Sequence, residues 1–318
     1  MLSGKRILLT GLTGQVAGAF ADQLAPNNDV WGLARFSQPG ARERAIAAGV
    51  TPVVGDYAKG EFDGVPTDLD VVIHVAAAVR PGTAEAGMAA NPEGTGRLMH
   101  HFRKSRFIYA SATGVYAAHA DPMHRYLETD DLGGQTLFAP NYGATKIAAE
   151  GVVRTLSILH DIPAVIARVN VSYGGPYDDG GLPGALLEKV LTRTPIALPK
   201  DHPFMCSPIH DEDMSRHLEQ LYEAASTPAL VVNWGGEVAV DMREMAEHLG
   251  RLVGIEPVFE LAPGDFALPA CIVDTTRSKE IGMEWRIPWR EGFRRMVEAR
   301  HPEIELGREV ATTGQIAS

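Results

Sequence analysis

The chain has 318 residues, 45% of them hydrophobic, enough for a sizeable core in one large domain or two intimate ones. A net charge of −11 and a pI near 5.5, with no basic run, argue against a nucleic-acid or anionic-membrane partner. Two cysteines, Cys206 and Cys271, show no metal-ligand spacing and indicate no disulfide framework, so no metal is expected and a reducing cytoplasm fits.

Structure starts within a few residues of Met1, which leaves no room for the apolar core of a signal peptide. The longest apolar stretch, Val71 to Val79, is too short to cross a bilayer and carries His74 in its middle. Arg6 to Thr10 reads as a strand buried on both faces, punctuated by Gly11 and Gly14, with a helix from about Gly14. Gly11 suits the sharp turn. Gly14, with Thr13, Gln15 and Val16 around it, would let the backbone approach a diphosphate seated on the helix N-terminus. Ala17 or Gly18 then allows close helix–strand contact. The spacing Gly-x-x-Gly-x-x-Ala departs from the better-known Gly-x-Gly-x-x-Gly fingerprint, and an ordinary strand-to-helix turn is the alternative.

Asp29 to Arg35 reads as a second strand, followed by a helix from about Gly40 to Ala48. In a dinucleotide fold an acid at the end of this strand grips the ribose diol, and a basic residue accepts a 2′-phosphate. Arg35 stands there, with no carboxylate from Val30 through Arg42, so NADP is expected over NAD, with Arg42 or Arg44 placed to assist. The alternative is a solvated surface arginine. Thr51 to Gly55 is the third strand, with Asp56 at the edge for an adenine amino group and Tyr57 beside it. Val71 to Ala77 is the fourth and ends in Ala76, Ala77 and Ala78, small enough to leave the crevice open to a cofactor. Arg106 to Ala110 and Pro163 to Arg168 complete six strands alternating with helices, the pattern of an α/β, Rossmann-type, doubly wound parallel sheet.

Beyond Val169 the rhythm loosens, with Gly and Pro clustered from Gly174 to Pro183. Helices are expected at Pro183 to Thr192, His210 to Ala225 and Asp241 to Val253, and further sheet strands at Cys206 to Ile209 and Leu230 to Asn233. Thr275 to Ile281 and Trp289 to Ala299 complete the pattern. The expected division is a dinucleotide-binding domain over 1–170, then 171–306 giving the last sheet strands and a smaller interleaved C-terminal substrate lobe. A frayed tail follows over 307–318.

Tyr142 and Lys146 are four residues apart on a helix expected from about Asn141 to Leu159, so both project from one face. A nearby ammonium favours the ionised form of a phenol, which suits proton exchange with an alcohol or carbonyl. The pair follows the fifth strand and precedes the sixth, which puts it at the carboxyl edge of the sheet.

With these pieces in order, the chain resembles an extended short-chain dehydrogenase/reductase, the family of NAD(P)-dependent epimerases, dehydratases and reductases. The resemblance spans nearly the whole length. It is carried by Thr10-Gly-x-x-Gly-x-x-Ala17, Gly55-Asp56, His74-Val-Ala-Ala77, Asn91-x-x-Gly-Thr95, Ser111 with Val115-Tyr116, Tyr142-x-x-x-Lys146, Arg168-x-Asn-x-x-Tyr-Gly174 and Ile209-His-x-x-Asp213. It implies that Tyr142 is the general acid/base and that Lys146 also holds the nicotinamide ribose. It further implies that Asn170 belongs with the substrate site and that the chain forms a homodimer through helices near 92–104 and 141–159. Asn91, with Gly94-Thr95, is expected at a helix start near the cofactor, ordinary N-capping being the alternative.

Two departures matter. The family places a Ser or Thr three residues before Val-Tyr, and here that residue is Ala112; Ser111, ahead of Thr113, is the candidate to replace it. Nucleotide-sugar members carry an arginine three residues before Ile-His, and here it is Cys206, which with Trp234 offers apolar bulk to a substrate or to the core. The expected function is therefore NADP-dependent hydride transfer to or from a small or apolar carbonyl compound. A nucleotide-sugar epimerase or dehydratase is the alternative, and a non-catalytic NADP-binding regulator a further one.

Overall fold

The glycine-punctuated start folds as β1 (Arg6–Thr10), whose Ile7, Leu8 and Leu9 are fully buried, and α1 (Gln15–Leu24). The computed structural model describes residues 1–134, 139, 141–176, 181–262 and 271–307. The tail expected beyond Gly307 lies outside the described residues, as does part of the Gly- and Pro-rich stretch before Pro183.

Then come β2 (Asp29–Ala34), α2 (Ala41–Ala47), β3 (Thr51–Val54) and β4 (Val71–His74). A short helix α3 (Ala84–Met88) runs through a π-helical turn, Ala89–Glu93, into α4 (Gly94–His101). Pro92 sits inside that turn, where its missing N–H removes one ladder bond. After these lie β5 (Arg106–Ala112), α5 (Tyr142–His160), β6 (Ala164–Val169), α6 (Leu182–Leu191), α7 (Asp211–Ala224) and β7 (Leu230–Trp234). The chain closes with α8 (Met242–Val253), α9 (Thr276–Glu280) and α10 (Trp289–Arg300).

The seven strands form one parallel sheet in the order β7-β6-β5-β4-β1-β2-β3. Strand order reverses between β1 and β4, whose Thr10 and His74 are register partners, and that point opens a crevice at the carboxyl ends. One face is filled by Phe20 and Leu24 of α1 with Met214, Leu218 and Leu221 of α7; the other by Leu98 and Met99 of α4 with Ala149 and Val153 of α5. A separate core joins α6, α8 and α10 through Leu187, Leu249 and Phe293.

The stretch Cys206 to Ile209 does not extend the main sheet. Met205–Cys206 pairs antiparallel with Val240–Asp241, and Ile209–His210 pairs with Ser172–Tyr173, because Pro208 interrupts the run and two-residue pairings suffice to fix the smaller lobe.

Candidate functional site

Gly11 has φ +82°, and an added Cβ would stand 2.8 Å from the Ala76 backbone nitrogen, so only glycine lets β1 turn against the end of β4. Gly14 is the N-cap of α1 and supplies no side-chain cap. The first-turn N–H groups at Gln15 and Val16 therefore keep the partial positive charge that suits a diphosphate. Gln15 is buried, and the Arg300 guanidinium lies 3.5 Å from its Oε1 while also donating to the Gly175 carbonyl at 3.3 Å. Thr13 and Val16 are half-buried at the same turn. These features fit a dinucleotide.

Ala76, Ala77 and Ala78 are half-buried past the end of β4, and Asn91 fixes them: it accepts from the Ala78 N–H at 2.8 Å and donates to the Ala78 carbonyl at 3.1 Å. Its amide also donates to Thr145 Oγ1 at 2.8 Å, which ties this loop to the helix of Tyr142 and Lys146. His74 bridges Thr10 and Thr95 at 2.8 and 2.9 Å, and complete burial lowers its pKa to about 3, with the Lys146 charge adding to the effect. It is a neutral strut across the switch point. Arg35 is exposed just past the end of β2, and its charge reaches Tyr57, which is wedged between the His74 ring, 5.0 Å away, and Gly94. Asp56 turns inward on its own loop, accepting from the Ala58 N–H at 3.0 Å.

Tyr142 and Lys146 lie one turn apart on α5, as the spacing requires, the tyrosine half-buried and the lysine fully so. Lys146 is 1% exposed and donates to the Ala110 carbonyl at 2.7 Å; its nitrogen stands 4.5 Å from the Tyr109 ring centre and 5.8 Å from that of Tyr142. Burial lowers its pKa to about 7, against the raising effect of Glu150. The phenol moves the other way. Burial raises Tyr142, and the Tyr57 phenol adds to this, which corrects the expectation of a phenol depressed by lysine. The reason is that excluding water from the phenol outweighs any pull from the ammonium.

Neither candidate for the vacant serine role points freely into the crevice. Ser111 is the register partner of Arg168, so both side chains leave the sheet on one face, where the Ser111 hydroxyl donates to Glu150 Oε1 at 2.6 Å. Thr113 Oγ1 accepts from Asn170 Nδ2 at 3.1 Å, and that amide also donates to the Cys271 carbonyl while its oxygen accepts from the Ser207 N–H. Asn170 is thus committed to tying together the segments at Thr113, Ser207 and Cys271.

The substrate reading of Cys206 and Trp234 gives way to the core. Cys206 is 2% exposed beneath Val240, with its thiol pKa raised by burial. Trp234 is 1% exposed, stacked on Phe20 at 5.8 Å, and donates from its indole to His217 Nδ1 at 3.3 Å.

Sequence reasoning passed over Glu150 and its pairing with Arg168. The available signal was a carboxylate one turn past Lys146 on the apolar side of the helix. Among the described residues no group of three or more His, Cys, Asp or Glu side chains could hold a metal ion, and no helix is long and apolar enough to cross a membrane.

Residues 7–228 match the sequence model of the NAD-dependent epimerase/dehydratase family. The chain is 25% identical over 311 residues to the low-salt glycan biosynthesis protein Agl12 of Haloferax volcanii, a match spanning 92% of this chain and 97% of that protein. In fold it is similar to UDP-N-acetylglucosamine 4-epimerase from Methanobrevibacter ruminantium in complex with UDP-N-acetylmuramic acid (TM-score 0.81, 16% identity, 95% of this chain and 100% of that one). It is also similar to the Thermus thermophilus UDP-glucose 4-epimerase complexed with NAD (TM-score 0.79, 20% identity, 93% and 98%).

Proposed function

We propose, from the premise that this chain belongs to the NAD-dependent epimerase/dehydratase family, that it epimerises or dehydrates the sugar of a nucleoside-diphosphate sugar. This replaces a small carbonyl compound as the leading substrate: the glycan-biosynthesis relative and the neighbour bound to UDP-N-acetylmuramic acid support it. The argument from Cys206 loses force, since that residue is buried in the smaller lobe and its identity says little about which other groups face a diphosphate. What carries the reading is the pairing of Tyr142 with Lys146, anchored at Ala110 in β5, together with the uncapped start of α1, where Gly11 turns against Ala76 past the end of β4.

A bound nicotinamide dinucleotide would supply the hydride acceptor and, when oxidised, a positive charge beside the phenol. Gly11, Gly14, Gln15 and Val16 hold its diphosphate, and Lys146 its nicotinamide ribose. Tyr142 moves the proton of the reacting oxygen, while His74 stays neutral and fixes β1 against β4. The role of the serine absent at Ala112 falls to Thr113, whose hydroxyl would turn from Asn170 to reach that oxygen, since Ser111 is held by the buried Glu150. Cofactor choice rests on Arg35: its place past β2 favours a 2′-phosphate and hence NADP, whereas the Thermus neighbour carries NAD. A homodimer through α4 and α5, in the cytoplasm, completes the reading.

The test is to incubate the chain with UDP- and dTDP-linked hexoses plus NAD or NADP and follow products by mass spectrometry and NMR. Formation of a C4 epimer or a dehydrated keto-sugar is the expected result. Turnover of simple aldehydes and ketones with no change in any nucleotide sugar would overturn it in favour of the carbonyl reductase.

A further inference from the structure

Behind the crevice three buried ionisable side chains meet: Lys146, Glu150 and Arg168, respectively 1%, 3% and 3% exposed. Glu150 lies one turn beyond Lys146 on α5. Its Oε1 accepts from Ser111 Oγ at 2.6 Å and from Arg168 Nε at 3.0 Å, and its Oε2 from Arg168 Nη2 at 2.8 Å. Arg168 also donates to the Glu128 carbonyl at 3.0 Å and stacks on Tyr116 at 4.8 Å, so its guanidinium is fixed on every side. Ser111 directly follows Ala110, whose carbonyl holds the Lys146 ammonium.

The carboxylate thus reaches the lysine by two routes, one along the helix and one through Ser111 to the peptide on which the ammonium rests. We propose that Glu150 is a positioning residue that acts through Lys146: it fixes the Ala110 carbonyl that orients the ammonium and supplies the negative charge that offsets it in a buried site. Glu150 pairs directly with Arg168 and acts on Lys146 from one helical turn away. Without that carboxylate the buried ammonium would give up its proton more readily, and Glu150 is the group that opposes burial at Lys146. The other groups facing Lys146 are the phenols of Tyr142 on the same helix and Tyr109 on β5, with the neutral His74 on β4 and Tyr57 behind them. None of these supplies a negative charge at neutral pH, because burial raises all three phenols and the imidazole is neutral.

The proposal takes the importance of Lys146 from the nicotinamide-dependent reading above, but its test needs no turnover. Lysine labelled at Cε with carbon-13 gives an NMR signal that reports the charge of each ammonium, and Lys146 is identified by the signal lost in Lys146→Arg. In the native chain it should titrate near pH 7. Glu150→Gln should move the midpoint down by about one pH unit or more, the order expected for removing an opposite charge within a helical turn. Glu150→Asp, which keeps the charge, should restore most of the shift even where its thermal stability stays low. If Glu150→Gln fails to fold, Ser111→Ala cuts the route from Glu150 to the Ala110 peptide while keeping both buried charges, and its Lys146 midpoint should still lie below the native one. An unchanged midpoint in whichever of these folds overturns the proposal. Where the chain is active, the alkaline limb of kcat/KM should move to lower pH with the same variants. A chain that showed the NMR shifts yet converted no nucleotide sugar would sink the functional reading and leave this one standing.

Discussion

The Lys146 nitrogen lies 5.8 Å from the centre of the Tyr142 ring and only 2.7 Å from the Ala110 carbonyl oxygen, so the lysine is anchored to β5 and faces the tyrosine from there. Its first partner is the strand. The two residues accordingly do separable work, and Tyr142→Phe should lower kcat by about a hundredfold or more while leaving cofactor affinity nearly intact. Lys146→Ala should damage both kcat and cofactor binding. Single-turnover rates with cofactor titrations distinguish the two, and a Tyr142→Phe chain that kept most of its rate would remove Tyr142 from the chemistry.

Cofactor preference should follow Arg35. With a guanidinium exposed past β2, NADP(H) should bind more tightly than NAD(H), and Arg35→Asp should reverse the order by about tenfold in each direction, since one charged contact is worth on the order of 1–2 kcal/mol. Titration of both dinucleotides by tryptophan fluorescence measures this. Equal or tighter NAD(H) binding by the native chain would assign the solvated role to Arg35.

Ser111 and Thr113 should behave differently although they are two residues apart. Ser111→Ala removes a hydrogen bond to a buried carboxylate and should cost about 1–3 kcal/mol of stability. Thr113→Val leaves the Asn170 amide its bond to the Cys271 carbonyl, so stability should fall less, while kcat falls with cofactor affinity unchanged. Denaturant melts beside steady-state kinetics give both numbers. Loss of rate confined to Ser111→Ala would exchange the two roles.

Acid should destabilise the fold through His74. Its folded pKa, about 3, lies below the ordinary 6.5, so between those values the unfolded chain takes up a proton that the folded chain refuses. Stability therefore falls as pH drops from 6.5 towards 3, with a slope of up to about 1.4 kcal/mol per pH unit from this residue. His210 and His217 are also lowered and contribute with the same sign. His74→Gln should make urea melts flatter across that window, and an unchanged slope would show that His74 takes up its proton without unfolding.

Association should place α4 and α5 against their symmetry mates. Ile158 and Leu159 are 58% and 69% exposed on the outer face of α5, where apolar side chains would be covered by a partner helix. Light scattering should give about twice the 34.2 kDa of one chain, and Leu159→Glu should halve it. A native chain that stayed at the single mass would reject the dimer.

The strand-and-helix order, the glycine turn and the Tyr142-x-x-x-Lys146 pair were legible in the sequence because each is local. Period, turn chemistry and a one-turn helical offset are set within a few residues. The strand ends were legible only to within about three residues: the fourth strand, expected to run to Ala77, stops at His74, because Val75 onward turns away to close over Gly11. What could not be read was which face or partner each side chain would find. Register alone set Ser111 opposite Arg168 and hence against Glu150, and packing drew Trp234 and Cys206 inside, away from a ligand. The direction of the Tyr142 shift was likewise tertiary. It depends on how much water is excluded from the phenol and on the Tyr57 phenol nearby, and both come from chain segments far apart in sequence and packed together only in the fold.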